Sequence, residues 1–186
     1  MAFGTNTFYY AFRAPGYSHV YSFFLACLAL HAALTGPPGA LGPWRRILFL
    51  WACAMLVIIR PIDIIAVLGL LGLLAIRRPE ELRRPSFHAV GLVVGLLAAL
   101  PQLLYWRFAF GQWVVYSYGD EGFTNWASPM FREVLFSPMN GLLPHAPALL
   151  LLPFGLFALW REDRRPALLI LLVLLAAVYS FAAWHA

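Results

Sequence analysis

Ile47 to Ile76 reads ILFLWACAMLVIIRPIDIIAVLGLLGLLAI, two apolar runs of 13 residues, Ile47 to Ile59 and Ile64 to Ile76, around the interruption Arg60-Pro61-Ile62-Asp63. Each run as a helix is ~20 Å long, short of the roughly 30 Å of a bilayer's hydrocarbon core. Either Pro61 kinks one very long helix, or the runs form a hairpin with Arg60 and Asp63 at its tip. The placement of positive charge decides between them. As a hairpin, Thr35 to Arg46, Arg77 to Ser86 and Arg161 to Arg165 share one side and carry nine arginines, leaving Arg13, Arg60, Arg107 and Arg132 on the other. As a single pass, that asymmetry is lost. The hairpin is the expected arrangement, with the arginine-rich side cytoplasmic.

Composition supports the same class. With 62% hydrophobic and 11% charged residues, the chain carries about half the charge of an ordinary water-soluble domain. Further apolar runs are Ser18 to Leu34; Phe87 to Tyr105, with Pro101 kinking its outer end; Ala146 to Trp160, started by Pro147; and Ala167 to Ala183, started by Pro166. The expectation is an all-α, polytopic transmembrane helical bundle of about six passes, one transmembrane domain over residues 1–186. Residues 1–17 and the long loop 106–145 are then extracytoplasmic. All thirteen basic residues are arginine, set singly or in short clusters between apolar runs, so nucleic acid is not an expected partner. RRPEELRR (77–84) and REDRR (161–165) read as solvated cytoplasmic turns that fix topology. Cys27 and Cys53 lie inside apolar runs without CxxC or His-partner spacing and read as small packing residues. The start has no charged n-region followed by a short apolar core, so it does not read as a signal peptide.

The loop WRFAFGQWVVYSYGDEGFTNWASPMFREVLFSPMNGLLPH, Trp106 to His145, is dense in aromatic residues, Gly and Pro. Such a segment suits a membrane and water boundary, where rings keep an apolar body in the interface and a polar tip wet. Within it Ser128 and Pro129 are expected to cap and begin a short helix, PMFREVLF, lying flat on the membrane with Met130, Phe131, Val134 and Leu135 opposite Arg132 and Glu133. Ser137-Pro138 stops it and Asn140-Gly141 turns the chain back. Arg60 and Asp63 are the charges nearest membrane depth, where charge usually marks a pathway or a site. Asp120 and Glu121, bracketed by Gly119 and Gly122, suit a general base, a cation site or a solvated turn, the turn being the simplest reading. His19 and His145 have no second histidine at helical spacing, which speaks against metal ligation. No P-loop, GxSxG, HExxH or dinucleotide fingerprint is present, and no cofactor is expected.

GTNTFYYAFRAPGYSHVYSFF from Gly4, IIRPID from Ile58, PQLLYW from Pro101, YSYGDEGF from Tyr116 and EVLFSPMNGLLPHAP from Glu133, in that order, resemble the middle portion of bacterial integral-membrane glycosyltransferases of the GT-C type. These are relatives of the protein O-mannosyltransferase and aminoarabinose transferase group. The resemblance implies a multi-pass protein of the bacterial cytoplasmic membrane, a polyprenyl-phosphate sugar as donor and inversion at the anomeric carbon. It places the catalytic acid in a first extracytoplasmic loop, expected upstream of Met1, so the chain is expected to be an internal fragment inactive alone. On that reading Arg60 grips the donor phosphate through its planar fork, with Arg107 as second candidate. Asp63, Asp120 and Glu121 join the substrate region. Tyr116, Tyr118 and Trp126 belong to a lid whose rings stack on the sugar and exclude water. The lipid-linked donor and the bilayer are the expected partners, and the acceptor is left open. A small transporter or a non-catalytic membrane scaffold is the competing expectation.

Overall fold

The computed structural model describes residues 18–37, 39–116, 122–139 and 141–185. Among these the fold is helical, with nine α-helices, two short 3-10 segments and a pair of two-residue strands. The chain divides into two compact units, Tyr21–Tyr116 and Met1–Val20 with Ser117–Ala186.

The first unit is built on α1 (His19–Leu34), α2 (Pro43–Ile59), α3 (Ile64–Arg77), α4 (Pro79–Leu82) and α5 (Pro85–Phe110). Prolines set most of its boundaries. Pro43 and Pro85 occupy the first turns of α2 and α5, where a missing N–H costs nothing. Pro61 and Pro79 push the residues before them, Arg60 and Arg78, out of helical conformation (φ −145° in both), which ends α2 and α3. A single 3-10 turn, Pro61–Asp63, then restarts the chain as α3.

The hairpin expectation agrees with the packing. Glu81, beyond the end of α3, accepts from the Leu41 backbone N–H at 2.9 Å and pairs with the Arg46 guanidinium in the first turn of α2. Arg46 also reaches the Ser86 hydroxyl at 3.1 Å. The chain leaving α3 has therefore returned to where α2 began, and the segments 35–46 and 77–86 lie at one end of the unit. From there α5 runs alongside α2, with Gly91 facing Leu50 so closely that an added Cβ would stand 3.3 Å from the leucine Cδ2.

Small residues make the close helix approach possible: Ala29, Ala32, Ala33, Ala52 and Cys53 are buried, with Phe49, Leu56, Val67, Leu70, Leu74 and Phe87 filling the space between them. The outer faces are apolar as well. Of the 26 residues of α5 only Phe87 is buried, while Leu92, Leu96, Leu97 and Phe108 stand exposed. An apolar patch of that extent is not stable against water and calls for a covering phase. Among the described residues two helices, Pro85–Phe110 and Arg164–Ala183, are long and apolar enough to cross a membrane; α5 alone is ~39 Å long.

The second unit contains strand β1 (Gly122–Phe123), α6 (Phe131–Phe136), α7 (Leu142–His145), a 3-10 segment Pro147–Leu151, α8 (Leu152–Glu162), α9 (Arg164–Ala183) and strand β2 (Trp184–His185). Asp163 separates α8 from α9 and caps the latter, its carboxylate accepting from the Arg165 N–H at 3.0 Å. The two helices pack together as a tight pair. At the far end of α9, two terminal carbonyls are satisfied by the preceding loop: Asn125 N–H donates to Ala183 at 3.1 Å and Met130 N–H to Ala182 at 2.8 Å. β1 and β2 pair antiparallel, Gly122 opposite His185 and Phe123 opposite Trp184. The middle of the long loop, residues 122–130, is thus stitched to the end of α9.

Several boundaries differ from expectation. α5 continues through Pro101 to Phe110, so Trp106 to Phe110 are helical and the loop opens at Gly111, which ends the helix with φ 72°. The loop helix starts at Phe131 with Met130 as its cap residue, and Ser128 makes no capping bond to it. Competition from the Met130 N–H, drawn to the α9 carbonyl, explains the later start. Pro147 opens a 3-10 turn, the α-helix beginning at Leu152. RRPEELRR is not wholly solvated: Arg78 is 5% exposed and Glu81 fully buried, because both serve as polar ties between helix ends.

Candidate functional site

The turn between α2 and α3 carries the expected charge pair. Arg60 Nη1 lies 4.0 Å from Asp63 Oδ1, and the two side chains are 17% and 15% exposed. The i, i+3 spacing across one 3-10 turn places both on the same side of it, since side chains three apart eclipse in that helix. Asp63 is further held by its own N–H donating to the Arg60 carbonyl at 2.9 Å. Its second carboxylate oxygen, Oδ2, is buried with no hydrogen-bond partner among the described residues. A buried carboxylate oxygen in that state is costly and is an acceptor waiting for a donor. Ser22 Oγ, in the first turn of α1, is likewise buried and unpartnered. α1 ends beside Arg45 and Arg78, so its first turn points away from the arginine-rich end, as the Arg60 to Asp63 turn does.

Arg107, the second candidate for the phosphate, sits at the end of α5. Its Nη1 donates to the Gly111 carbonyl at 2.5 Å, and its guanidinium stands 5.9 Å from the centre of the Trp113 ring. A cation over the last carbonyls of a helix stabilises that terminus, and Arg107 does so for α5. Tyr116, at the end of the same unit, is 63% exposed. Tyr118, Asp120 and Glu121 lie outside the described residues.

Trp126 has a defined setting. Its ring stacks on Phe123 (5.4 Å between centroids, 27°) and tilts against Tyr179 (5.7 Å, 33°), while its backbone carbonyl accepts from the Tyr179 hydroxyl at 2.6 Å. Trp184 meets Phe123 edge-on at 4.8 Å, and Phe131 lies 6.0 Å from Tyr179. Trp126 remains 49% exposed, so about half of an anchored aromatic side chain stays accessible. The expected lid is therefore fixed to α9 at its Trp126 end. Sequence reasoning missed Tyr179, which lies inside an apolar run; its place in the last two turns of that run, where interfacial tyrosines concentrate, was the available signal.

A third polar cluster was also missed. Arg78 donates from Nε to the Ala33 carbonyl (2.9 Å), from Nη1 to those of Pro37 (2.8 Å) and Gly39 (2.7 Å), and from Nη2 to that of Thr35 (2.9 Å). Arg45 adds bonds to the Ala32 carbonyl (2.6 Å) and the Thr35 hydroxyl (3.1 Å). The two arginines so cap the C-terminus of α1. His88 Nε2 contacts the Leu82 carbonyl (2.7 Å) and His145 Nδ1 that of Gly141 (3.0 Å); among the described residues no group of three or more His, Cys, Asp or Glu is placed to hold a metal ion.

The structure brings Arg60 to Asp63, and Trp126 to Tyr179 and Phe123. Chemically, the first pair offers a guanidinium and a carboxylate acceptor at the turn between two apolar helices, and the second a half-accessible aromatic side chain. Comparison with family models, with curated proteins and with solved structures finds no match to this chain.

Proposed function

We propose that the chain forms the donor-binding part of a membrane glycosyltransferase of the GT-C type, with the Arg60 to Asp63 turn receiving the phosphate and a hydroxyl of a polyprenyl-phosphate sugar on the extracytoplasmic side. On this reading the helices make about six passes through a bacterial cytoplasmic membrane, with Thr35 to Arg46 and Arg77 to Ser86 facing the cytoplasm. The observation that carries the proposal is the buried, unpartnered Oδ2 of Asp63 beside the Arg60 guanidinium. A lipid-linked sugar brings a hydroxyl donor for the unpartnered carboxylate oxygen, together with phosphate oxygens of the kind a guanidinium fork binds. The ordered motifs from Gly4 to Pro147 give the same direction. The accessible part of Trp126 suits the apolar face of a sugar ring.

The test is donor binding to the purified chain in nanodiscs, with wild type, Arg60→Lys and Asp63→Asn compared by titration of a polyprenyl-phosphate sugar. A lysine replaces a two-pronged donor by a point charge, so Arg60→Lys is expected to bind about tenfold more weakly, the loss of one charge-assisted hydrogen bond. Asp63→Asn keeps the shape and removes the charge, and is expected to weaken sugar-phosphate more than undecorated polyprenyl phosphate. Equal affinity in all three forms sinks the proposal.

A further inference from the structure

We propose a second anion site, at the opposite end of the Tyr21–Tyr116 unit: the pocket between the ends of α1 and α3 holds the phosphate of an anionic lipid head group. It rests on the membrane reading of the helices and not on the glycosyltransferase reading. A cavity of about 320 Å³ opens there, lined by Ala33, Leu34, Gly36, Gly39, Arg77 and Arg78, of a size with small-ligand pockets in general.

Three observations converge on an anion. Arg78 is a permanent charge, 5% exposed, whose acceptors are four backbone carbonyls, with no carboxylate among its partners. Carbonyl dipoles, those of the α1 C-terminus among them, satisfy its N–H groups and offset part of its charge but supply no full counter-charge in a poorly solvated place. Arg77, on the pocket wall, is exposed and makes no hydrogen bond or ion pair among the described residues. The nearby acid that is buried, Glu81, is taken up by Arg46 and the Leu41 N–H. The result is a concave surface lined by two arginines, one fixed and one free, with no acid in its lining, the exposed Glu80 making no ion pair among the described residues.

The position chooses the ligand. Leu34 and Arg77 are the last residues of two apolar helices, so the pocket lies at the depth where a head group meets the hydrocarbon boundary. Basic pockets between helices on the cytoplasmic side are where anionic head groups bind. Gly36 and Gly39, at φ 84° and 94°, let the loop curl over Arg78 with its carbonyls turned inward, and a side chain at Gly36 would run into the Arg45 guanidinium. The space beside Gly36 is thus taken by Arg45, whereas nothing stands within 4 Å of where a side chain at Gly39 would begin, and the room for a phosphate lies on that side of the pocket.

The experiment uses the full chain in nanodiscs of phosphatidylcholine with or without phosphatidylglycerol, followed by native mass spectrometry of retained lipid. Phosphatidylglycerol is expected to co-purify with wild type and with Arg83→Gln, an exposed arginine off the pocket, and phosphatidylcholine is not. Arg77→Gln is expected to lower retention at least about tenfold, the worth of a lost charge-assisted contact, and Arg77→Lys to restore part of it. Because Arg77 is exposed and unpaired, the variant should fold as wild type does, and circular dichroism checks that. Retention unchanged in Arg77→Gln, or equal retention of both lipids, overturns the site. Glycerol 1-phosphate binding in detergent with the same Arg77 dependence and the same affinity assigns the pocket to a soluble phosphate and overturns the lipid assignment.

Discussion

Glu80 and Glu81 are adjacent, chemically identical and indistinguishable by composition, yet they are expected to differ sharply in worth. Glu80 is exposed, while Glu81 is fully buried, with its two oxygens on Leu41 N–H and on the Arg46 guanidinium. Glu81→Ala removes a partner from a buried pair and strands both donors. Breaking such a pair costs about 3–5 kcal/mol, and because the Arg46 side chain is 11% exposed and can draw some water, the lower end applies, about 3 kcal/mol. Glu80→Ala should change stability by less than about 0.5 kcal/mol, as surface substitutions do. Replacing both members, Arg46→Met with Glu81→Met, should recover part of the loss, since no charge is then left buried alone. The assay is reversible unfolding in mixed detergent micelles, followed by tryptophan fluorescence. Destabilisation by Glu81→Ala within about 0.5 kcal/mol of Glu80→Ala would refute the reasoning.

Tyr179→Phe deletes the hydroxyl that holds the Trp126 carbonyl and should cost about 1 kcal/mol while loosening the loop; faster proteolysis between 122 and 130 with unchanged helix content is the readout, and an unchanged rate contradicts it. Gly91→Val places two methyl groups against Leu50 and should cost about 1–3 kcal/mol by overpacking, whereas Gly95→Val, in open space, should not; equal melting temperatures for the two variants would contradict the close approach of α2 and α5.

The apolar runs made the helices legible, because period and length of hydrophobic segments are written directly in residue order. Pro61 likewise marked the interruption between α2 and α3, and the placement of the arginines read it as a turn and not a kink. What stayed hidden were the effects that depend on where a side chain lands. Arg78 and Arg83 carry the same charge in one loop, but only folding decides that Arg78 turns under the 35–39 loop and finds four carbonyls, while Arg83 stays exposed. The pass holding Pro101 was expected to close at Tyr105, yet the helix runs on to Phe110 because its apolar surroundings favour continued internal hydrogen bonding. Of the candidate site, the Arg60 and Asp63 pair was legible from a spacing of three across a turn. The anchoring of Trp126 by Tyr179, 53 residues away, was not, since contacts between distant segments leave no local trace.

The hairpin at Arg60 to Asp63 brings the segments 35–46 and 77–86 to one end of the Tyr21–Tyr116 unit, and sided chemical labelling tests most directly whether both face the cytoplasm as proposed. Single cysteines at Ala40, Arg83 and Trp113, on a Cys27→Ala and Cys53→Ala background, are exposed to a membrane-impermeant maleimide in intact cells and in opened membranes. Positions 40 and 83 are expected to label only once the inner face is opened, and position 113 in intact cells. Labelling of 40 and 83 from opposite faces would mean that Ile47 to Ile76 crosses once as a kinked helix, and would contradict the account.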